Sequence, residues 1–205
     1  VFLQKMYIMN YSIYAESTPN PEVMKFVANR MIADQSIEIT TLKEAKGISI
    51  AEELLKFPFV ESIYLSANFI SISKTGTIQW EDIAMQLRNF IADHLNSNGI
   101  RNYTENISLD KTSVVNDPKH EKITANEFTD HEKEIEALLN EYIAPAVESD
   151  GGAITLNYYK DNIVCVDLKG ACSGCPSSTS TLKGGIEALL KRKVNPDIEV
   201  IANEK

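Results

Sequence analysis

A polar, acidic stretch divides this chain into two parts that each look able to fold. Residues 97–129 show no sustained apolar repeat at the spacing of either a strand or a helix. So little apolar surface cannot offset the entropy of ordering the backbone, which predicts a flexible linker. With 205 residues, the chain is long enough for two modules, which we place at 10–96 and 130–203.

Charge and cysteine content narrow the classes of function. The net charge is −9, and residues 101–150 hold 12 acidic but only 5 basic side chains. Such acidity repels phosphate, so we expect no nucleic-acid partner. No run approaches the ~18 apolar residues of a membrane span, so we expect no membrane partner either. The chain has three cysteines, an odd number that does not suit a secreted disulfide framework. We therefore expect a reducing compartment, the cytoplasm.

The first module has the pattern of two strands, a helix, two strands and a helix. Alternating apolar residues over 11–16 predict a strand that ends at the turn Thr18-Pro19-Asn20-Pro21, and residues 22–39 favour a second strand. Ser49 is expected to cap a short helix that Pro58 stops. A hairpin turning near Ala67-Asn68 and an amphipathic helix from Trp80 to Leu95 complete the module.

The second module has the pattern helix, strand, strand, cysteine loop, helix, strand. Apolar residues over 135–143 recur at helical spacing, and Asp150-Gly151-Gly152 is expected to end that helix in a tight turn. The remaining elements are predicted at 153–159, 162–168, 176–192 and 197–201. The predicted fold class is therefore α+β, with two small mixed domains arranged as ββαββα and αββαβ.

Cys172-Ser173-Gly174-Cys175-Pro176 follows the second of these strands and places two thiols about one turn apart. Structural zinc and iron–sulfur clusters usually take about four protein ligands, so one chain supplies half a site. The other ligands would come from a second copy, a partner or a small molecule. Pro176 suits the first position of a helix, whose positive end would lower the pKa of both thiols.

Two other functions use the same thiol pair. A disulfide reductase is disfavoured because two hairpin-linked strands precede the motif, where a thioredoxin-like site follows the first strand of a parallel β-α-β unit. A complete zinc site within one chain needs two more ligands, but His94, His120 and His131 are scattered along the chain, so zinc would have to bridge two chains. Both alternatives remain open at this point.

The residues around the motif resemble a known family. Gly170 to Ser178, followed by Thr181-Leu182-Lys183 and Gly185-Ile186-Glu187, is similar to the signature of the C-terminal domain of NifU-like (Nfu-type) iron–sulfur scaffold and carrier proteins. Asp150-Gly151-Gly152 fits the same signature. Residues 11–95 more diffusely resemble the N-terminal Nfu domain of this family.

This resemblance implies a function for the cysteine pair. Cys172 and Cys175 of two chains would together bind one [4Fe–4S] cluster, with [2Fe–2S] as the alternative, and the cluster would pass to apo-proteins. The implied partners are apo iron–sulfur client proteins, the upstream cluster assembly machinery and a second copy of the chain. No enzymatic activity is implied.

Three further features carry weaker expectations. Cys165 lies within an apolar strand and is expected to be a small buried residue rather than a ligand. Gly184-Gly185 interrupts a predicted helix at a cost of about 1 kcal/mol per glycine, so we expect a tight contact there, between two chains. The first module shows no ligand set of its own, which favours a docking role for clients or partners.

Overall fold

The computed structural model describes residues 10–76, 78–98, 129–173 and 176–203. The predicted linker therefore lies almost wholly outside the described residues. No helix within them is long and apolar enough to cross a membrane.

The first domain is a five-stranded antiparallel sheet with two helices on one face. The strands are β1 (Ile13–Ser17), β2 (Val23–Ala28), β3 (Ile37–Ile39), β4 (Val60–Ser66) and β5 (Phe69–Lys74). Their order in the sheet is β1-β2-β5-β4-β3. The helices are α1 (Ser49–Leu54) and α2 (Trp80–Asn98). Phe26 and Ile70 of the sheet form the core with Ile50 of α1 and Ile91 of α2.

One prediction for this domain is wrong: residues 22–39 form two strands. β2 ends at Ala28, opposite Ile13, and the chain then crosses to the other edge of the sheet. There Ile37 pairs with Leu65 of β4. Apolar alternation alone cannot show where one strand ends and the next begins at another edge of the sheet, because the pairing of the second strand depends on a distant partner.

The short helix is confirmed, but its predicted cap is not. Ile48 occupies the N-cap position without a side-chain hydrogen bond, and Ser49 is the first helical residue. The Ser49 hydroxyl is hydrogen-bonded to Nε2 of His94 on α2 at 3.0 Å. The predicted hairpin is confirmed, and Ala67 at its turn adopts a φ of 45°.

The second domain packs three helices on a three-stranded sheet. Its elements are α3 (Asp130–Tyr142), α4 (Ala144–Ser149), β6 (Gly152–Lys160), β7 (Ile163–Gly170), α5 (Pro176–Lys193) and β8 (Glu199–Asn203). The sheet order is β6-β7-β8, with β6 antiparallel and β8 parallel to β7. Val164 and Val166 of β7 pack with Ile135 of α3 and Ile186 of α5.

The first predicted helix of this domain is split in two. α3 ends before Ile143, and Pro145 lies in the first turn of α4, where its missing N–H is not needed. α3 begins with a capping box that the sequence analysis did not identify. The Thr129 hydroxyl accepts from the backbone N–H of Glu132 at 3.3 Å, and the Glu132 carboxylate accepts from the backbone N–H of Thr129 at 2.9 Å.

The β6–β7 hairpin is confirmed and contains a bulge. Its turn is Asp161-Asn162, both with positive φ. Leu156 pairs with Val166, but Tyr158 pairs with Cys165, so one extra residue lies in β6. The bulge moves Tyr158 to the side of the sheet opposite Leu156.

The two domains contact each other directly. The helix-free face of the first sheet lies against the turns that precede β6 and follow β7. The Ser71 hydroxyl of β5 donates to the Gly151 carbonyl at 2.6 Å, and the two residues are 80 positions apart in the chain. The cysteine loop therefore lies close to the domain boundary.

Candidate functional site

The cysteine loop connects the end of β7 to the start of α5. Gly170 ends β7 with a φ of 60°, and Pro176 is the first residue of α5, as predicted. The Ala171 amide donates to the Gly151 carbonyl at 3.2 Å. The amide and the hydroxyl of Ser173 both donate to the Gly170 carbonyl, at 3.1 and 2.8 Å. These bonds hold the first half of the loop against the turn before β6.

Cys172 points into the second domain. It is a free thiol, 8% exposed, and belongs to the apolar core of that domain. Its sulfur lies against Gly152, where an added Cβ would be 2.7 Å from Cys172 Sγ and 2.6 Å from the Lys169 carbonyl oxygen. Glycine at position 152 therefore provides the space that the sulfur occupies.

The environment of Cys172 favours the protonated thiol. Burial raises its pKa to about 11, and the nearby Asp150 carboxylate acts in the same direction. The expectation that the helix terminus would lower this pKa is therefore wrong for Cys172 in this arrangement. A metal cation can take the place of the proton, since thiolate is the form that binds metal.

Cys175, the second predicted ligand, lies outside the described residues, so its role stays a prediction. Within the described residues, no group of three or more His, Cys, Asp and Glu side chains is placed to hold a metal ion. His94 is hydrogen-bonded to Ser49, and His131 is exposed on α3. The described part of one chain therefore offers no complete set of ligands around Cys172.

Two residues of the first domain approach the loop. The Asn20 side-chain amide donates to the Ser173 carbonyl at 3.3 Å. Pro19 lines a cavity of about 410 Å³ together with Cys172 and Leu182. From the sequence, Pro19 and Asn20 are expected only to form a turn. No local pattern could have placed them here, because their position depends on how the domains pack.

A second cavity also borders Cys172. Its volume is about 810 Å³, and its lining includes Glu38 and Glu61 of the first domain and Lys169 and Lys183 of the second. Cys172 thus lines two cavities although its own surface is nearly covered. Both spaces lie at the junction between the domains.

Family comparisons match both domains. A family model described as "Scaffold protein Nfu/NifU N terminal" covers residues 13–98, and one described as "NifU-like domain" covers residues 135–201. The chain belongs to the Nfu/NifU-like family of iron–sulfur scaffold proteins. The two matched ranges coincide closely with the two structural domains.

Relatives of this Nfu/NifU-like chain extend over nearly its whole length. An "NFU1 iron-sulfur cluster scaffold homolog, mitochondrial" from Drosophila ananassae is 29% identical over 94% of this chain and 64% of its own length. The protein of the same name from Homo sapiens is 28% identical over 91% of this chain and 69% of its own length. A solution structure of a NifU-like protein from Saccharomyces cerevisiae covers 42% of this chain and 79% of that protein, with 24% identity and a TM-score of 0.38. The chain thus spans about two thirds of the length of these curated relatives.

One argument against a disulfide reductase does not hold for this family member. The hairpin before the cysteine motif is present, but β7, α5 and β8 also form a β-α-β unit with parallel strands. The connectivity around the motif therefore does not separate a reductase from a metal site. The burial of the Cys172 thiol disfavours a reductase in this arrangement, because an attacking cysteine needs an accessible thiolate.

The expectations for Cys165 and for the glycine pair have different outcomes. Cys165 is 4% exposed, and the Tyr158 hydroxyl is hydrogen-bonded to it, so its predicted burial is confirmed. Gly184 and Gly185 lie exposed on α5, and a Cβ on either would meet no atom within 4 Å. The described residues provide no tight contact for these glycines, and a contact between two chains stays a prediction.

Proposed function

We propose that this chain carries an iron–sulfur cluster, bound between two copies through Cys172 and Cys175, and transfers it to apo-proteins. The observation that supports this most strongly is an isolated thiol pair in a member of a scaffold family. Within the described residues, no group of three or more His, Cys, Asp and Glu side chains is placed to hold a metal ion. Two chains would supply four thiolates, the number that a cluster usually takes.

The cargo would be a [4Fe–4S] cluster, with [2Fe–2S] as the alternative. A cluster bound between two chains suits a carrier, because it becomes free when the chains separate. The proposed partners are the upstream assembly machinery, apo iron–sulfur clients and a second copy of the chain. The fruit-fly and human relatives carry the word mitochondrial in their names, and the cytoplasmic location stays a prediction for this chain.

Anaerobic reconstitution with iron and sulfide tests the proposal. Wild-type protein should gain visible absorbance and bind about four irons per two chains for [4Fe–4S], or about two for [2Fe–2S]. Light scattering should show that the coloured species is a dimer. Cys172→Ala and Cys175→Ala should each abolish iron binding, whereas Cys165→Ala should bind as much iron as the wild type.

Transfer requires a second measurement. Loaded protein, mixed with an apo-ferredoxin, should lose its cluster absorbance while the acceptor gains its own spectrum. Zinc binding with no visible absorbance would instead indicate the zinc-bridged dimer. Turnover of a disulfide substrate by metal-free monomer would indicate the reductase. Wild-type protein that stays colourless and monomeric would contradict the proposal.

A further inference from the structure

The helix-free face of the first sheet is covered by the second domain. We call Lys25, Glu38, Tyr64, Phe69 and Ser71 the docking face; they lie on β2, β3, β4 and β5, on the side opposite the helices. Four of them are at most 8% exposed, and Glu38 is half-buried. A sheet face buried to this degree must be stabilised by what covers it.

Lys25 binds the end of α4. Its ammonium group donates to the carbonyls of Glu148 and Ser149, at 3.0 and 2.8 Å. It also lies 4.5 Å from the centre of the Phe69 ring. The last carbonyls of a helix have no partners within the helix and carry partial negative charge, so a buried cation satisfies them. Lys25 therefore caps a helix of the other domain.

Ser71 and Glu38 bind the turn before β6 and the end of β7, respectively. Besides the bond from Ser71 to the Gly151 carbonyl, the Glu38 carboxylate accepts from the Gly170 amide at 3.1 Å. Gly151 and Gly170 both have positive φ, at 85° and 60°. A Cβ on Gly151 would lie 2.7 Å from Ser71 Oγ, and one on Gly170 would lie 2.9 Å from a ring carbon of Tyr64. Bare backbone at both turns lets the domains approach this closely.

The turn between β1 and β2 extends this contact to the cysteine loop itself. Asn20 holds the Ser173 carbonyl, and Pro19 borders the cavity next to Cys172. All of these bonds run from side chains of the first domain to main-chain atoms of the second. The docking face thus recognises the backbone shape around the loop.

We infer that the docking face is a binding surface for the cysteine-loop end of the chain's own second domain, and that docking there competes with the pairing of two cysteine loops around a cluster. The competition rests on the proposed function. Thiolates from two chains must bind the same iron–sulfur core, so each loop has to be open to the other. In the docked arrangement, Pro19 and Asn20 occupy space beside that loop.

Competition of this kind lowers the apparent affinity for the cluster by an amount that can be measured. A protein whose competent form is only partly populated binds with an affinity reduced by that fraction. If nine in ten apo chains are docked, releasing the first domain raises the apparent affinity about tenfold for each chain, and hence about a hundredfold for a cluster that needs two chains. Loading the cluster should in turn release the docking face, because coupling between two sites is reciprocal.

The test compares Lys25→Glu with Lys43→Glu in the full chain. Both replace a lysine of the first domain by glutamate, but Lys43 is exposed and lies outside the docking face. Ser71→Val is a second variant, which removes the bond to Gly151 and keeps a residue that suits a strand. Circular dichroism checks that each variant folds. Hydrogen exchange of the segments 150–152 and 170–173 and small-angle X-ray scattering report docking in apo protein.

The expected result has two parts. Lys25→Glu and Ser71→Val should speed exchange at the Gly170 amide and enlarge the radius of gyration, while Lys43→Glu matches the wild type. Both docking variants should also form cluster absorbance at lower iron and sulfide concentrations than the wild type. Unchanged exchange and dimensions in both folded variants would overturn docking. Released domains without easier loading would overturn the competition. If no protein, wild type included, binds iron, the proposed function fails, while exchange and scattering still decide docking.

Discussion

Gly152 and Cys172 lie in direct contact, since a Cβ on Gly152 would be only 2.7 Å from the sulfur. A methyl group at position 152 would therefore push the Cys172 side chain or the β7 backbone at Lys169 away. Gly152, which has no side chain to bind metal, therefore helps to place the predicted ligand Cys172.

Gly152→Ala should destabilise the second domain and impair cluster loading. The cost should be about 1–3 kcal/mol, the range for overpacking a well-packed core. Urea unfolding measures this cost. It is followed by far-ultraviolet circular dichroism and not by tryptophan fluorescence, because Trp80, the only tryptophan, lies in the first domain. Iron content after reconstitution should fall below that of the wild type. Wild-type stability together with wild-type iron content would show that the space at position 152 is not needed.

Gly184→Ala should have the opposite effect on stability. A Cβ there meets nothing within 4 Å, and the residue lies in the interior of α5. Replacing glycine by alanine in a helix interior should stabilise the apo protein by about 0.5–1 kcal/mol. Thermal unfolding of wild-type and variant apo protein is the measurement.

The same variant tests the expected contact between chains. If α5 of two copies meet closely at Gly184, the added methyl group should lower the dimer fraction of loaded protein in light scattering. A loaded variant that is as dimeric as the wild type would show that this expectation is wrong.

Glu132 should make the stability of the second domain depend on pH. It is 3% exposed, and its carboxylate accepts from the backbone N–H and the hydroxyl of Thr129 and from the backbone N–H of Tyr159. Burial alone would raise its pKa, but these hydrogen bonds outweigh burial and lower the pKa below its ordinary value. The carboxylate is therefore favoured in the folded state.

A lowered pKa in the folded state gives stability that is present above the unfolded pKa and is lost as pH falls through the folded pKa. Glu132→Gln should cost about 1–2 kcal/mol at pH 7, and the difference from wild type should shrink below about pH 4. Urea titrations between pH 3 and pH 7 measure both effects. Glu134→Gln, at an exposed site on the same helix, should show neither. If the loss of stability caused by Glu132→Gln stayed constant across this pH range, the lowered pKa of Glu132 would be contradicted.

Cys165 should be unreactive in the folded chain. Burial, followed by the charge of Asp167, raises the pKa of this thiol, although the hydrogen bond from Tyr158 opposes the shift. The double variant Cys172→Ala/Cys175→Ala leaves Cys165 as the only thiol of the chain. Its reaction with Ellman's reagent should be more than about tenfold slower in native buffer than in urea, because the thiolate is both scarce and covered. Equal rates would show that Cys165 is accessible.

The sequence predicted those features that depend on neighbours along the chain. The amphipathic repeat from Trp80 onward, the hairpin turn near Ala67-Asn68 and the helix start at Pro176 are all confirmed. Each is set by spacing or turn chemistry within a few residues. The break before Pro145 was missed although its cause is local, because the apolar spacing continues across it.

What the sequence could not show depends on residues that are distant along the chain. The sequence predicts one strand where β2 and β3 lie, because only the pairing with β4 makes β3 a separate strand. The sequence likewise could not show that β8 pairs with β7 in the parallel direction.

By itself, the sequence determined two domains of mixed structure, a thiol pair at the start of a helix and the family to which they belong. Only the tertiary structure decided that Cys172 is buried against Gly152, that Lys25 of the first domain binds the end of α4 and that Ser71 binds the turn before β6. The physical reason is that these contacts join backbone carbonyls, glycines and side chains up to 124 positions apart. Their geometry follows from how two sheets pack, which no periodicity within either domain encodes.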